Sequence, residues 1–412
     1  MSRKIHFANK ESWNWAHPSP FAQTIEIGEQ IFLSGQQTLD ANGRVLAVGN
    51  IAAQTRNVFE NMTSALAQVG ASLSDLARLN TYYVFDGDDA EATRYWEDMT
   101  EVRLEYFTDP GPAATAVRIK GMPYEGQLIQ IEGIALAGTS RQHRQRIMPD
   151  GSWDWSIPVP LSQGWRVGER IFVGGQISAD KQAQPVAPND IAAQTGNVFE
   201  FIRQVVLDAG GNVQDISHVK ICYKHGGYGP EAQKFFEDIL NVTEEFFHEP
   251  GPALTAFGVD LLYPGLVIEI DAMAIVDTKR RRLMSSDLGG RYQPSMLSDG
   301  WCAAGEIHVS GQTALGSDGS VLAANNIEEQ ARIVFDRVRR VLAEDNADLN
   351  DLVKLNLFFA NDAASPQGED YHAVAQVWSE MAPDAHPAMT PVRVYGLPRQ
   401  GLLLQADGIA IK

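Results

Sequence analysis

The chain repeats itself. "SWNWAHPSPFAQTIEIGEQIFLSGQ", from Ser12 to Gln36, returns as "SWDWSIPVPLSQGWRVGERIFVGGQ", from Ser152 to Gln176, displaced by 140. "IAAQTRNVFE" at Ile51 returns as "IAAQTGNVFE" at Ile191, and "PGPAATAV" at Pro110 as "PGPALTAF" at Pro250. A weaker third copy shows in "HVSGQTAL" at His308, "IEEQARIVFD" at Ile327 and "HPAMTPV" at His386. A period of about 135 residues is far too long for a solenoid and is the size of an ordinary domain. Three tandem domains are expected, over residues 1–138, 139–278 and 279–412.

Between them lie "AGTSRQHRQRIMPDG", from Ala137, and "DTKRRRLMSSDLGG", from Asp277. Both are basic, polar and without apolar periodicity, so they read as linkers. The net charge of −19, from 52 acidic and 33 basic residues, argues for a soluble chain and against a nucleic acid or an anionic membrane as partner. The two cysteines, Cys222 and Cys302, fall in different repeats and read as buried free thiols. No apolar run is long enough to span a membrane, and "MSRKIHFANKESWNW" lacks the apolar core of a secretory signal, so a cytoplasmic location is expected.

Within repeat 1, "QTIEIGEQIFLSGQ" reads as a hairpin about Gly28. Asn50 is a plausible helix N-cap. Ile51, Thr55, Val58, Phe59, Met62 and Leu66 then fall on one helical face, and Gly70 stops the helix. "LARLNTYYVF" reads as a strand, "DDAEATRYWEDMTEVRLEYF" as a second helix, and "ATAVRIKGM" and "QLIQIEGIALA" as closing strands. The expected unit is α+β, with two helices on one face of a mostly antiparallel sheet. Yet "LIQIEGIAL", "LVIEIDAMAIV" and "LLLQADGIAI" are apolar at most positions of both parities, so the second sheet face should also be buried. Three copies can bury those faces against one another in a closed pseudo-trimer.

With "SPFAQTIEIGEQIFLSGQ", "IAAQTRNVFEN" and "MPYEGQLIQIEGIA" on the page, the unit resembles the Rid (RidA/YjgF) family, over essentially all of each repeat. That family consists of small homotrimeric proteins that hydrolyse enamines and imines. The resemblance implies three chorismate-mutase-like domains, each a sheet plus two helices, with clefts at their interfaces. It implies that the arginine gripping a substrate carboxylate in family deaminases is missing, because Ala114, Leu254 and Met389 stand in its place. Substrates of the 2-aminoacrylate type are then disfavoured. Ala116, Ala256 and Pro391 likewise replace a family cysteine. The family glutamate that positions the hydrolytic water falls, on this reading, on Glu132, Asp271 and Asp407. A carboxylate in an apolar cleft has a raised pKa and can move protons near neutrality. The alternative is a structural carboxylate that binds backbone donors.

Other residues are candidates for substrate binding. Arg118 and Arg393 lie four positions past Ala114 and Met389, on the same strand face about 13 Å away, and could supply a displaced anion contact or simply face solvent or a domain seam. The spacing in Trp13 and Trp15, and in Trp153 and Trp155, puts both rings of a pair on one face, for ligand stacking or seam closure. Repeat 3 has Leu288 and Gly290 near those places, so unequal clefts are expected. Phe21 and Leu161 occupy a family tyrosine position, and Gln36, Gln176 and Gln312 close a Gly-Gln turn. No zinc, calcium or nucleotide motif is present, so no metal or cofactor is expected. Chorismate-cleaving enzymes share the fold more remotely.

These readings lead to a cofactor-free hydrolase or deaminase. It would act on an imine, enamine or other C–N bond of a small, aromatic or cyclic nitrogen compound, at one or two working clefts between domains. The competing reading is a non-catalytic small-molecule-binding or chaperone-like protein. Further homo-oligomerisation of the pseudo-trimer is left open.

Overall fold

The computed structural model describes residues 3–8, 19–248, 250–285, 297–360 and 368–412. Repeat 1 runs β1 (Arg3–His6), β2 (Thr24–Ile27), β3 (Gln30–Gln36), α1 (Ile51–Gln68), β4 (Leu76–Val84), α2 (Asp89–Leu104), β5 (Ala113–Ile119) and β6 (Ile129–Leu136). Repeat 2 follows the same plan with β7 (Arg144–Ile147), β8 (Gly164–Val167), β9 (Arg170–Ile177), α3 (Ile191–Asp208), β10 (Ile216–Lys224), α4 (Pro230–Phe246), β11 (Ala253–Val259) and β12 (Ile268–Ile275). Repeat 3 has β13 (Arg281–Leu283), β14 (Gly300–Ala303), β15 (Glu306–Thr313), α5 (Ile327–Ala343), β16 (Leu352–Phe359), α6 (Glu369–Met381), β17 (Ala388–Arg393) and β18 (Leu404–Ile411).

Each repeat forms one six-stranded sheet, in repeat 1 with the order β1-β2-β3-β6-β4-β5. Only β4 and β5 pair in parallel there, with α2 as their crossover. The class is α+β, with three tandem domains. The first helix of each repeat forms as its sequence dictates. Asn50 accepts a hydrogen bond from the Ala53 amide at 3.0 Å, and Gly70 takes a φ of +70° beyond the C-terminus. Ile51, Thr55, Val58, Phe59, Met62 and Leu66 are all buried against the sheet. Gln54 is buried with them for a different reason. It receives the Leu128 amide (2.8 Å) and donates to the Gly126 carbonyl (2.9 Å), clasping the helix to the loop before β6. Gln194 and Gln330 make the same two bonds in repeats 2 and 3.

The central strands β6, β12 and β18 are buried at every position, so the second sheet face is covered, as both-parity hydrophobicity requires. The cover is the other repeats. Ala113 bridges in parallel to Ser162, Ala253 to Ser298, and Ala388 back to Ala22, which closes a ring of three. Ile134, Phe172, Met273, Val353 and Ile409 pack together in a core to which all three repeats contribute.

The linkers depart from expectation. Each contributes the edge strand of the following repeat, β7 or β13. Their arginines are not idle in solvent. Arg141 reaches Asp75 at 2.5 Å, Arg144 the Leu76 carbonyl at 2.7 Å, and Arg280 pairs with Asp215, so each linker is tied back onto the repeat it leaves. A pattern three or four residues long is too short to show periodicity. Cys222 is buried and Cys302 half-buried, and both are free thiols.

Candidate active site between repeats 1 and 2

The three carboxylates expected in the clefts lie elsewhere. Glu132, Asp271 and Asp407 project toward the ring axis and pair in a cycle with the neighbouring repeat. Arg78 holds Asp271 at 2.5 Å, Lys354 holds Glu132 at 2.6 Å, and His218 stands 3.9 Å from Asp407. Thr115, Thr390 and Asn356 add hydrogen bonds. Burial pushes the Glu132 carboxyl up, but the ammonium groups of Lys354 and Lys220 outweigh it and hold the group at about 2. Burial pushes Asp407 up and keeps His218 well below the ordinary imidazole value. The structure thus places these residues where the three repeats meet, with Glu132 and Asp407 lining a small cavity shared by all three.

Two residues earlier on the same face of the same strand the repeats differ. The residue there is Gln130 in β6, Glu269 in β12 and Gln405 in β18. Each lies against the first residue of a Gly-Gln pair. A Cβ on Gly35 would meet the Gln130 amide at 2.3 Å, one on Gly175 the Glu269 Oε1 at 1.9 Å, and one on Gly311 the Gln405 side chain at 2.7 Å. The glycine sits where β9 slips register against β12, between the pairs of Ile270 and Ala272. The repeated Gly-Gln thus makes room for this side chain.

Glu269 is 6% exposed. Burial pushes its carboxyl up to about 8, despite a hydrogen bond from the Ala116 amide, and the charge of Asp271 adds to the rise. Around it, β5 contributes Ala114 and Ala116, α2 contributes Trp96 and Arg103, and repeat 2 contributes Trp153, Trp155, Leu161, Leu262 and Tyr263. The cavity between these walls is small, about 30 Å³. Trp155 is half-buried. Trp153 is fixed: its indole N–H donates to Gln176 Oε1 at 3.2 Å, Gln176 donates to Gln163 at 2.8 Å, and Gln163 donates to the Trp153 carbonyl at 3.0 Å. Trp155 meets Trp153 edge-on, with centroids 4.9 Å apart.

The other expected binding residues divide. Trp153, Trp155 and Leu161 line this cleft, and Gln176 supports it. Phe21 and Gln36 line the cleft between repeats 3 and 1, of about 110 Å³, with Tyr124, Tyr371, Met389 and Pro391. Gln312 bonds the Ser310 carbonyl at 3.1 Å inside repeat 3. Arg118 and Arg393 lie at domain seams: Arg118 pairs with Asp260, and Arg393 with Asp370 at 3.4 Å and the Met122 carbonyl at 3.2 Å. Trp13, Trp15, Leu288 and Gly290 lie outside the described residues. Glu269 and Arg103 were missed; the signal for Glu269 was the first acid in "IEID", two residues before Asp271. Among the described residues no cluster of three or more metal-ligating side chains is found, and no helix is long and apolar enough to cross a membrane.

The sequence model of one family, described as endoribonuclease L-PSP, matches three times, over residues 15–137, 156–276 and 292–412. The chain belongs to this family, the Rid family. Among Rid relatives, a RutC family protein of Pyrococcus abyssi is 36% identical over 116 residues, covering 28% of this chain and 85% of its own. The 3-aminoacrylate deaminase RutC of Acinetobacter baylyi is 32% identical over 117 residues, covering 28% and 86%. A protein named 2-iminobutanoate/2-iminopropanoate deaminase, from Dermatophagoides farinae, is 26% identical over 117 residues, covering 28% and 85%. A solved chorismatase superposes over 82% of this chain and 93% of its own with a TM-score of 0.53 at 14% identity, a likeness of fold alone. Rid relatives thus include imine and enamine deaminases, and each spans one repeat.

Proposed function

We propose that this chain hydrolyses an imine or enamine of a small aromatic or cyclic compound in the cleft between repeats 1 and 2, with Glu269 moving the protons. The observation that carries this reading is a carboxyl poised at about 8 in a pocket walled by indole rings. At neutral pH such a group is mostly protonated and can donate. It would protonate an enamine carbon or an imine nitrogen, leaving an iminium ion and a carboxylate. The carboxylate then takes a proton from water as the oxygen bonds to the iminium carbon. Return of that proton to nitrogen breaks the C–N bond as the hydroxyl proton passes to the carboxylate, giving a carbonyl compound and ammonia and restoring the acid. Deaminases among the relatives support the reaction class.

The test is ammonia release from a panel of imines generated in situ from aromatic and cyclic amino compounds. Glu269→Gln is nearly isosteric and should lower turnover by about 10²- to 10⁴-fold. Activity should fall as pH rises through about 8, because the acid form is then lost. Binding of the panel without ammonia release, or full activity in Glu269→Gln, would defeat the proposal and favour a binding protein.

A further inference from the structure

Helix α2 carries three buried polar groups on the face at positions 96, 100 and 103. Among the described residues, Trp96 Nε1, Thr100 Oγ1, and Arg103 Nε and Nη1 have no hydrogen-bond partner. Spacings of four and three residues put them in one column of the helix. Arg103 is 1% exposed and makes a single bond, from Nη2 to Thr81 Oγ1 at 3.2 Å. Burial lowers its guanidinium to about 10, and no carboxylate contributes. A guanidinium keeps its charge at neutral pH, and a buried charge without a counter-ion is strongly disfavoured unless something else pairs with it.

The position is particular to repeat 1. In each repeat this residue's carbonyl receives the amide that closes the second helix: Phe107 to Arg103, Phe247 to Thr243, and Ala382 to Trp378. Thr243 is satisfied by the Ile239 carbonyl at 2.7 Å, and the Trp378 indole by the Ala385 carbonyl at 2.9 Å. The ring thus has one unsatisfied buried cation at this position. It lines the same cleft as Glu269, the one cleft whose strand position holds a carboxyl.

We propose that Arg103 is the anion seat of this cleft, and that the substrate carries a carboxylate on an aromatic or cyclic body. This rests on the reading of the cleft as a substrate site, and it narrows the substrate class. The arginine missing at Ala114 is replaced by one entering from helix α2. A carboxylate there accepts from Nε and Nη1, with the Trp96 indole N–H on the same wall, and its ring lies among Trp153, Trp155 and Tyr263.

The test is calorimetric titration of the full chain at pH 7 with benzoate and with benzamide, which keeps the ring and loses the charge. Benzoate should bind at least about tenfold tighter than benzamide. Arg103→Met should abolish that difference, and Arg103→Lys should keep part of it. Both variants are first checked for a parental circular dichroism spectrum. Equal affinity for the two probes, absence of saturable binding of either to the parent chain, or a benzoate preference that survives Arg103→Met would each overturn the proposal. Turnover is not needed for this comparison. If Glu269→Gln and the parent both prefer benzoate while no imine is hydrolysed, the anion seat stands and the deaminase reading falls.

Discussion

Glu269 and Asp271 are both acids on one face of β12, two residues apart, and their environments set opposite tasks. Asp271 meets Arg78, and Glu269 meets indole rings. The sequence reading chose the position at which all three repeats are acidic. What three repeats share is what closing a ring needs three times, whereas Glu269 and Arg103 each occur once. Arg103 was illegible for a second reason: an arginine in the last turn of an acidic helix ordinarily faces water. The raised carboxyl has a thermodynamic signature. An unfolded glutamate releases its proton near 4.5 and the folded one near 8, so across that interval the folded state holds more protons and stability falls as pH rises. Glu269→Gln removes this penalty. Its melting temperature should match the parent's near pH 4 and exceed it increasingly toward pH 8, as differential scanning calorimetry would show.

At the scale of elements, the helix faces and the fully buried central strands were legible because periodicity and burial coincide there. The edge strands β7 and β13 were not, because their pairing is set by the hairpin they join and not by their own pattern. The glutamine in "IAAQ" and "IEEQ" repeats for a reason that only the loop before the last strand reveals. Replacing it leaves a buried amide and a buried carbonyl without partners. Gln194→Leu should therefore cost about 1–3 kcal/mol in urea unfolding with little change in the slope. An exposed change on the same helix, Gly196→Ala, has open space for its Cβ and should move stability the other way, by about 0.5–1 kcal/mol.

At the scale of the whole molecule, the tandem α+β plan and the burial of both sheet faces followed from the repeat alone. The polar axis did not, because each ion pair joins residues from different repeats. That axis makes the ring sensitive to acid. Glu132 is held at about 2, below its unfolded value, so its contribution is present above about pH 4.5 and is lost as pH falls toward 2. Acid titration followed by circular dichroism should show unfolding in that window, and Lys354→Met should shift the onset upward by leaving Glu132 with the weaker pairing to Lys220, 3.9 Å away.

Arg103 also shows what covalent linkage permits. In a ring of three identical subunits every substitution is written three times, and a buried charge without a counter-ion would be multiplied by the symmetry, enough to exceed the margin by which most domains stay folded. Here the same side chain occurs once, and the energetic burden it places on the empty molecule is one third as large. Two repeats can carry the structural load in full while the third departs from it. A single strained position of this kind, intolerable under exact symmetry, becomes available for recognition.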